Sequence, residues 1–438
     1  MRLRACDRIP LRADELDLEG RGVATFEGTE VHAEGLLPGE EGDVRIDQVS
    51  RHAPHAFGRV VGALHARSPD RVEPPCPGER CGGCAWQPLA YAAQLEHKRR
   101  RVERALGGIA VAGVVPAPAL LGYRNKATYV LAARDRRVAL GAYAPRSHEW
   151  VDTGACRVVH PAIAAALGPI GDALTASGLA VHDERARAGQ LRYAVVRANR
   201  AGEVLVGIVT TSDAPRDVLE AAARRIEPAR GVVWLPNDAT SGAILGRDAH
   251  VLCGEATLAE RIDGVAVDVG IDTFLQVNLD AAEALYRRLV ERAGAHPGMS
   301  ALDVYCGIGP IALLLARAGA DVLGVERNAA SVEAARAAAA RNGIAARFEE
   351  TPAAELPALL AARPVDVVVV NPPRQGLEES VRAALAARPP ATLVYVSCGP
   401  ESLGRDLAEL GLEVESVEPF DLMPGTGHVE TLVTARRR

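Results

Sequence analysis

The chain has 438 residues, 48% of them apolar and 24% charged, which excludes a disordered, collagen-like or disulfide-scaffold protein and leaves room for two or three domains. Lysine and arginine total 50 against 56 aspartate and glutamate, a formal net charge of -6, and that sum argues against a polyanionic partner. No apolar run is long enough to cross a bilayer, and Met1 to Pro10 is charged with no apolar stretch behind it. A soluble, cytoplasmic protein with no membrane partner is expected, monomeric by default, in which clustered cysteines are metal ligands or nucleophiles rather than disulfides.

Residues 17–67 alternate short apolar stretches, such as Val31 with Ala33 and Val44 with Ile46, with Gly and Pro turns, a pattern that predicts a small β-barrel. A Cys- and Pro-rich loop from Pro74 to Pro88 follows, then a basic helix from Leu89 to Leu106. Cys76, Cys81 and Cys84 in the loop, with Cys156 further on, offer four thiols to one centre, and their spacing leaves zinc and an iron-sulfur cluster equally open. Residues 120–260 read mainly as strands, including Lys126 to Leu131, Arg192 to Arg197 and Glu203 to Val209, with Asn199-Arg200-Ala201-Gly202 as a hairpin turn.

Charge is not evenly spread. Residues 91–160 hold 12 basic against 5 acidic residues. Lys98, Arg99, Arg100, Arg101 and Arg104 fall on the basic helix, and Arg124, Lys126, Arg134, Arg136 and Arg137 follow. Tyr123, Asn125 and Tyr129 are interleaved among them, a mixture suited to phosphate contact and base stacking. Neutralising Arg99, Arg100 and Arg101 together is therefore expected to weaken salt-sensitive RNA binding.

From about residue 280 the pattern becomes strand, helix, strand, helix, the sign of a doubly wound parallel sheet. The run Ala301-Leu302-Asp303-Val304-Tyr305-Cys306-Gly307-Ile308-Gly309 reads as a buried strand and a glycine turn where backbone can approach a ligand. Glu326 ends the second strand, placed to accept hydrogen bonds from ribose hydroxyls. A third glycine of the dinucleotide fingerprint is missing, which favours S-adenosylmethionine over a nicotinamide cofactor. Two more apolar strands end in Asn371-Pro372-Pro373-Arg374 and in Ser397-Cys398, which puts polar and nucleophilic side chains in the same crevice.

These residues, with Phe274-Leu275-Gln276-Val277-Asn278, the four cysteines and Gly425-Thr426-Gly427-His428-Val429-Glu430-Thr431, resemble in order and over nearly the whole chain the RNA uracil-5-methyltransferases. That family includes the iron-sulfur 23S rRNA enzymes and the tRNA uridine-54 enzyme. The resemblance implies an α/β Rossmann-like class I methyltransferase domain at 263–438, an amino-terminal TRAM or OB-like RNA-binding barrel at 1–68, and a central mainly β domain at 69–262. The central domain would carry a 4Fe-4S cluster on Cys76, Cys81, Cys84 and Cys156, and the helix near 89–107 would pack on the catalytic domain.

The resemblance further implies that Cys398 is a nucleophile adding to uracil carbon 6 and Glu430 the base that removes the carbon 5 proton. Gln276, Tyr305, Glu326 and Asn371 would bind S-adenosylmethionine. The substrate implied is a splayed-out uridine of structured RNA, in 23S rRNA, with tRNA uridine 54 as the alternative. Three positions depart from the family pattern: Pro310, Pro352, and Asn371 in place of an aspartate. They leave open a second class of function, an RNA-binding or folding-assistant protein with an inactive methyltransferase half.

Overall fold

The computed structural model describes residues 3–437 apart from 79, 80, 185, 240–243, 247 and 363. The first 60 residues form a six-stranded sheet with its own core. Its strands obey the two-residue period of a half-buried sheet: along Arg8–Arg12, Ile9 and Leu11 point inward between exposed neighbours. All ladders in this sheet are antiparallel except that between Thr29–Glu34 and His55–Val60.

The central sheet has seven strands, in the spatial order His250–Gly254, Ala229–Pro236, Val204–Thr210, Leu191–Ala198, Lys126–Arg134, Arg137–Tyr143 and Trp150–Asp152. Helices Pro161–Ala176 and Arg216–Ala223 cover one face, where Ile163, Ile170, Leu174 and Leu219 meet Ala194, Val196, Val206 and Ile208. The turn after Ala198 joins antiparallel partners as the sequence predicts.

A hairpin, Thr257–Ile262 with Val265–Gly270, joins this sheet to the last domain. Leu258 packs under the central sheet, whereas Ile262, Val265, Val267 and Val269 belong to the core of the carboxyl-terminal domain. The expected division between 262 and 263 therefore falls inside the turn of a hairpin whose two strands fold together.

The carboxyl-terminal sheet runs in the order Ala346–Glu350, Asp321–Glu326, Ser300–Val304, Val367–Val370, Thr392–Ser397, Glu430–Arg436 and Glu413–Phe420. The first five strands are parallel and the last two antiparallel. Burial on both faces explains why Val367 to Val370 can be four consecutive valines, all buried. Helix α1, Tyr91–Ala105, precedes the central sheet in sequence but places Val102, with Leu106 just beyond its end, in the core of this last domain. The chain after α1 then extends the sheet edge, with Ala112 and Val115 donating to Val417 and Pro419. Among the described residues no helix is long and apolar enough to cross a membrane.

Candidate active site

The parallel strands all end on one edge of the sheet, so Tyr305, Glu326, Asn371 and Cys398 share the crevice beyond their carboxyl ends. Cys398 follows the strand Thr392–Ser397, which pairs antiparallel with Glu430–Arg436 and ends at Ser397 opposite Thr431. One more step of that register sets Cys398 against Glu430, although 32 positions of chain separate them. The half-buried Cys398 thiol is pushed up by burial and by the Glu430 charge, and the exposed Arg374 guanidinium beside it pulls it back. Burial pushes the Glu430 carboxyl up to about 7, again opposed by Arg374. His428 is driven the other way, to about 4, by burial and by the charges of Arg374, Arg101, Lys98 and Arg124. At neutral pH the site therefore holds a neutral imidazole, a carboxyl near its midpoint and a thiol, and the Arg374 charge bears on all three.

Three of the expected cofactor residues, Tyr305, Glu326 and Asn371, lie at the carboxyl ends of neighbouring parallel strands. Tyr305, at φ 65°, turns the chain out of its strand, and Gly307 and Gly309 follow with φ 55° and 82°. A Cβ on Gly309 would stand 2.7 Å from the Phe348 ring, so the turn needs glycine there both for its backbone and for that approach. Glu326 folds back on the turn, accepting from the Gly307 amide at 3.3 Å and the Asn328 amide at 2.9 Å. Asp303, on the strand below, is wholly buried and pushed up to about 8. Asn371 hangs from its neighbour strand through its amide to the Val304 carbonyl at 3.4 Å.

Gln276 is buried and its segment is pinned by the central sheet. Asn125 donates from its side chain to the Gln276 carbonyl at 3.1 Å and from its backbone to Val277 at 2.9 Å. Asn278 caps the next helix and donates to Leu422. Of the departures from the family pattern, Pro310 is the first residue of helix Pro310–Arg317, where its missing N–H costs nothing. Pro352 starts a short 3-10 turn.

The four expected ligand cysteines are brought together. The thiols of Cys81 and Cys84 are raised by burial and by each other's neighbours Cys76 and Cys156, Cys84 to about 12, and Arg124 opposes this at both. Arg157, next to Cys156, donates to the Pro75 carbonyl at 3.1 Å, next to Cys76. All four are free thiols.

Part of the basic run is taken up inside the fold and in ion pairs, while Arg100, Arg104, Arg134, Arg136 and Arg137 stay exposed. Lys98 is fully buried and ion-paired with Asp421 at 2.7 Å. Arg99 pairs with Glu96 and Glu103, Arg100 with Glu96, and Arg101 with Glu401. Asn125 and Tyr129 are also buried, and Lys126 is pushed down to about 8 by burial and the neighbouring Arg197 charge. The helix keeps its i, i+4 acids close enough to spend most of that charge internally. Reading by residue type missed Arg374 as the cation of the site. It also missed Gln94 and Lys98, for which the available signal was a polar side chain at each inward position of an amphipathic helix.

Residues 295–401 match a family model described as a methyltransferase domain. An uncharacterized RNA methyltransferase of Gloeobacter violaceus is 35% identical over 98% of this chain and 96% of its own length. One of Thermosynechococcus vestitus is 35% identical over 97% of both. The chain belongs to the family of RNA methyltransferases. Among solved structures, the tRNA (uracil-54, C5)-methyltransferase of Pyrococcus abyssi, in complex with S-adenosyl-L-homocysteine, is 27% identical and superposes with a TM-score of 0.80 over 98% of this chain and all of that one. The class I methyltransferase fold and the RNA methyltransferase family, both expected from the motifs, agree with these likenesses.

Proposed function

We propose that this RNA methyltransferase methylates carbon 5 of a uridine in structured RNA, with 23S rRNA as the substrate. The observation that supports the reading is that the strand register ends with Ser397 opposite Thr431, next to Cys398 and Glu430, and that the buried Glu430 charge reaches the Cys398 thiol. Carbon 5 of uracil is a poor nucleophile. Addition of the Cys398 thiolate to carbon 6 pushes the ring's electron pair toward carbon 5 and oxygen 4, making carbon 5 enolate-like. S-adenosylmethionine, when bound, supplies an electrophilic methyl group on a sulfonium sulfur. Gln276, Tyr305, Glu326 and Asn371 hold that cofactor, with Glu326 on its ribose side. Glu430 then takes the carbon 5 proton, the carbon 5–carbon 6 double bond returns, and the pair of the carbon 6–sulfur bond leaves with Cys398. Arg374 favours the ionised forms that both steps use.

The amino-terminal sheet is read as the TRAM-like RNA-binding module. The cysteine set fits a 4Fe-4S cluster: its donors are four gathered thiols. Such a cluster would tie the loop of Cys76 to the strand region of Cys156.

A second substrate reading, tRNA uridine 54, is favoured by the whole-chain likeness to the Pyrococcus abyssi enzyme. Mapping 5-methyluridine in both RNAs of a deletion strain separates the two. With undermodified RNA and tritiated methyl donor, the wild type is expected to incorporate label and Cys398→Ala none, while Glu430→Gln accumulates a protein–RNA adduct on denaturing gels. A fully active Cys398→Ala protein overturns the nucleophile assignment. A wild type that incorporates nothing leaves the folding-assistant reading in its place.

A further inference from the structure

The segment Asp421 to Val429, which delivers Glu430 to the site, is gripped from one face of α1. Gln94, Lys98 and Arg101 are spaced i, i+4 and i+7 and so lie along one side of the helix. Gln94 Oε1 accepts from the Gly425 amide at 2.9 Å. Lys98 Nζ donates to Asp421 Oδ1 at 2.7 Å and to the Met423 carbonyl at 3.2 Å. Arg101 donates to the Gly427 carbonyl at 3.0 Å. Four alternate residues of the segment are thus each held by a side chain of α1. Trp86 closes the grip from the cysteine loop, donating its amide to the Gly425 carbonyl at 2.9 Å and lying so close to Gly427 that a Cβ there would be 2.9 Å from its ring.

Stability does not explain this arrangement. Lys98 and Asp421 both have 0% side-chain exposure, and a buried pair recovers its desolvation cost so poorly that apolar residues of the same size commonly serve as well. What the polar groups add is direction: three side chains read one backbone at fixed positions. Gln94 also donates to the carbonyls of Trp86 and Leu89, which makes the helix, the end of the cysteine loop and the segment a single hydrogen-bonded unit. Among the described residues neither Gln94 nor Lys98 hydrogen-bonds to the strand that carries Cys398.

We propose that Gln94 and Lys98 are positioning residues for Glu430, fixing the segment Asp421 to Val429 so that the carboxylate meets the carbon 5 proton of the Cys398-bound uracil. This rests on the roles given to Cys398 and Glu430 above. It separates the two halves of the reaction: addition of the thiolate depends on the strand Thr392–Ser397, and release depends on the grip of α1.

The test is a single-turnover experiment on in vitro transcribed 23S rRNA and tRNA, following adduct on denaturing gels and product by tritium, across pH. The double variant Lys98→Met/Asp421→Leu removes both charges and leaves neither orphaned. It is expected to form adduct at the wild-type rate and resolve it about 10- to 100-fold more slowly, the cost of a misplaced catalytic group. The pH limb of release should also move down toward the ordinary carboxylate range as water reaches Glu430. Should that variant fail to melt cooperatively, Gln94→Leu, which deletes the hold on Gly425, takes the same measurements. Release at the wild-type rate with an unmoved pH limb overturns the proposal while leaving the mechanism intact. A wild type that methylates without any adduct overturns the mechanism and this proposal with it.

Discussion

Arg374 is the residue whose charge reaches both reacting groups, lowering Cys398 and Glu430 against the pull of burial. The signs fix the pH behaviour. Both groups act in their deprotonated forms, so methylation should rise with pH through about 7, where Glu430 titrates, and continue upward with the thiol. Arg374→Met removes the lowering influence from both, so the profile should move to higher pH, with about a tenfold loss at pH 7 for each unit moved. Single-turnover rates from pH 5 to 9 check this, and an unshifted profile would mean that the guanidinium does not bear on either group. Cys398 and Glu430 were legible in sequence because each sits in a short pattern at a strand boundary. Arg374 stood in plain view after two prolines, but its role depends on which side chains the sheet register sets around it, and register is not written in any local window.

Elements were legible where a single period governs them. The valine run Val367 to Val370, the glycine turn after Val304 and the hairpin through Asn199 all fold as their patterns require. Helix α1 was legible in extent and opaque in purpose, because a run of positive residues looks solvated until its partners are known, and Asp421 lies 323 positions away. The glycine turn offers a direct test at this scale. Gly309→Ala places a side chain at φ 82° and 2.7 Å from the Phe348 ring, costing about 1–3 kcal/mol in strain and overpacking. Calorimetry with S-adenosylhomocysteine should show affinity reduced about tenfold or more, since that energy is spent where the ligand seats. Wild-type affinity would place the cofactor elsewhere.

For the whole molecule the net charge of -6 proves a poor guide, and so does its apparent basic island. The positive residues of α1 are matched by Glu96, Glu103, Glu401 and Asp421, so the surface they offer to a phosphate backbone is smaller than their number suggests. The triple neutralisation expected from the sequence to weaken binding is therefore replaced by a narrower expectation. Arg99→Gln/Arg100→Gln should leave the slope of log affinity against log salt within about one unit of wild type. A slope reduced by two would show that both arginines meet phosphate despite their partners. The joint at the hairpin Thr257–Gly270 was not readable from composition, since its first strand sends Leu258 to the core under the central sheet and Ile262 to the core of the last domain.

The hydrogen bonds between α1 and the segment before Glu430 join residues 323, 325, 326 and 331 positions apart. During synthesis, α1 emerges from the ribosome while its partners are still untranslated, and its buried lysine must wait in water, fully hydrated and charged. Contacts of such separation form late. The central sheet can fold as the chain grows, but Glu430 reaches its place only when the final strand pairs with Thr392–Ser397.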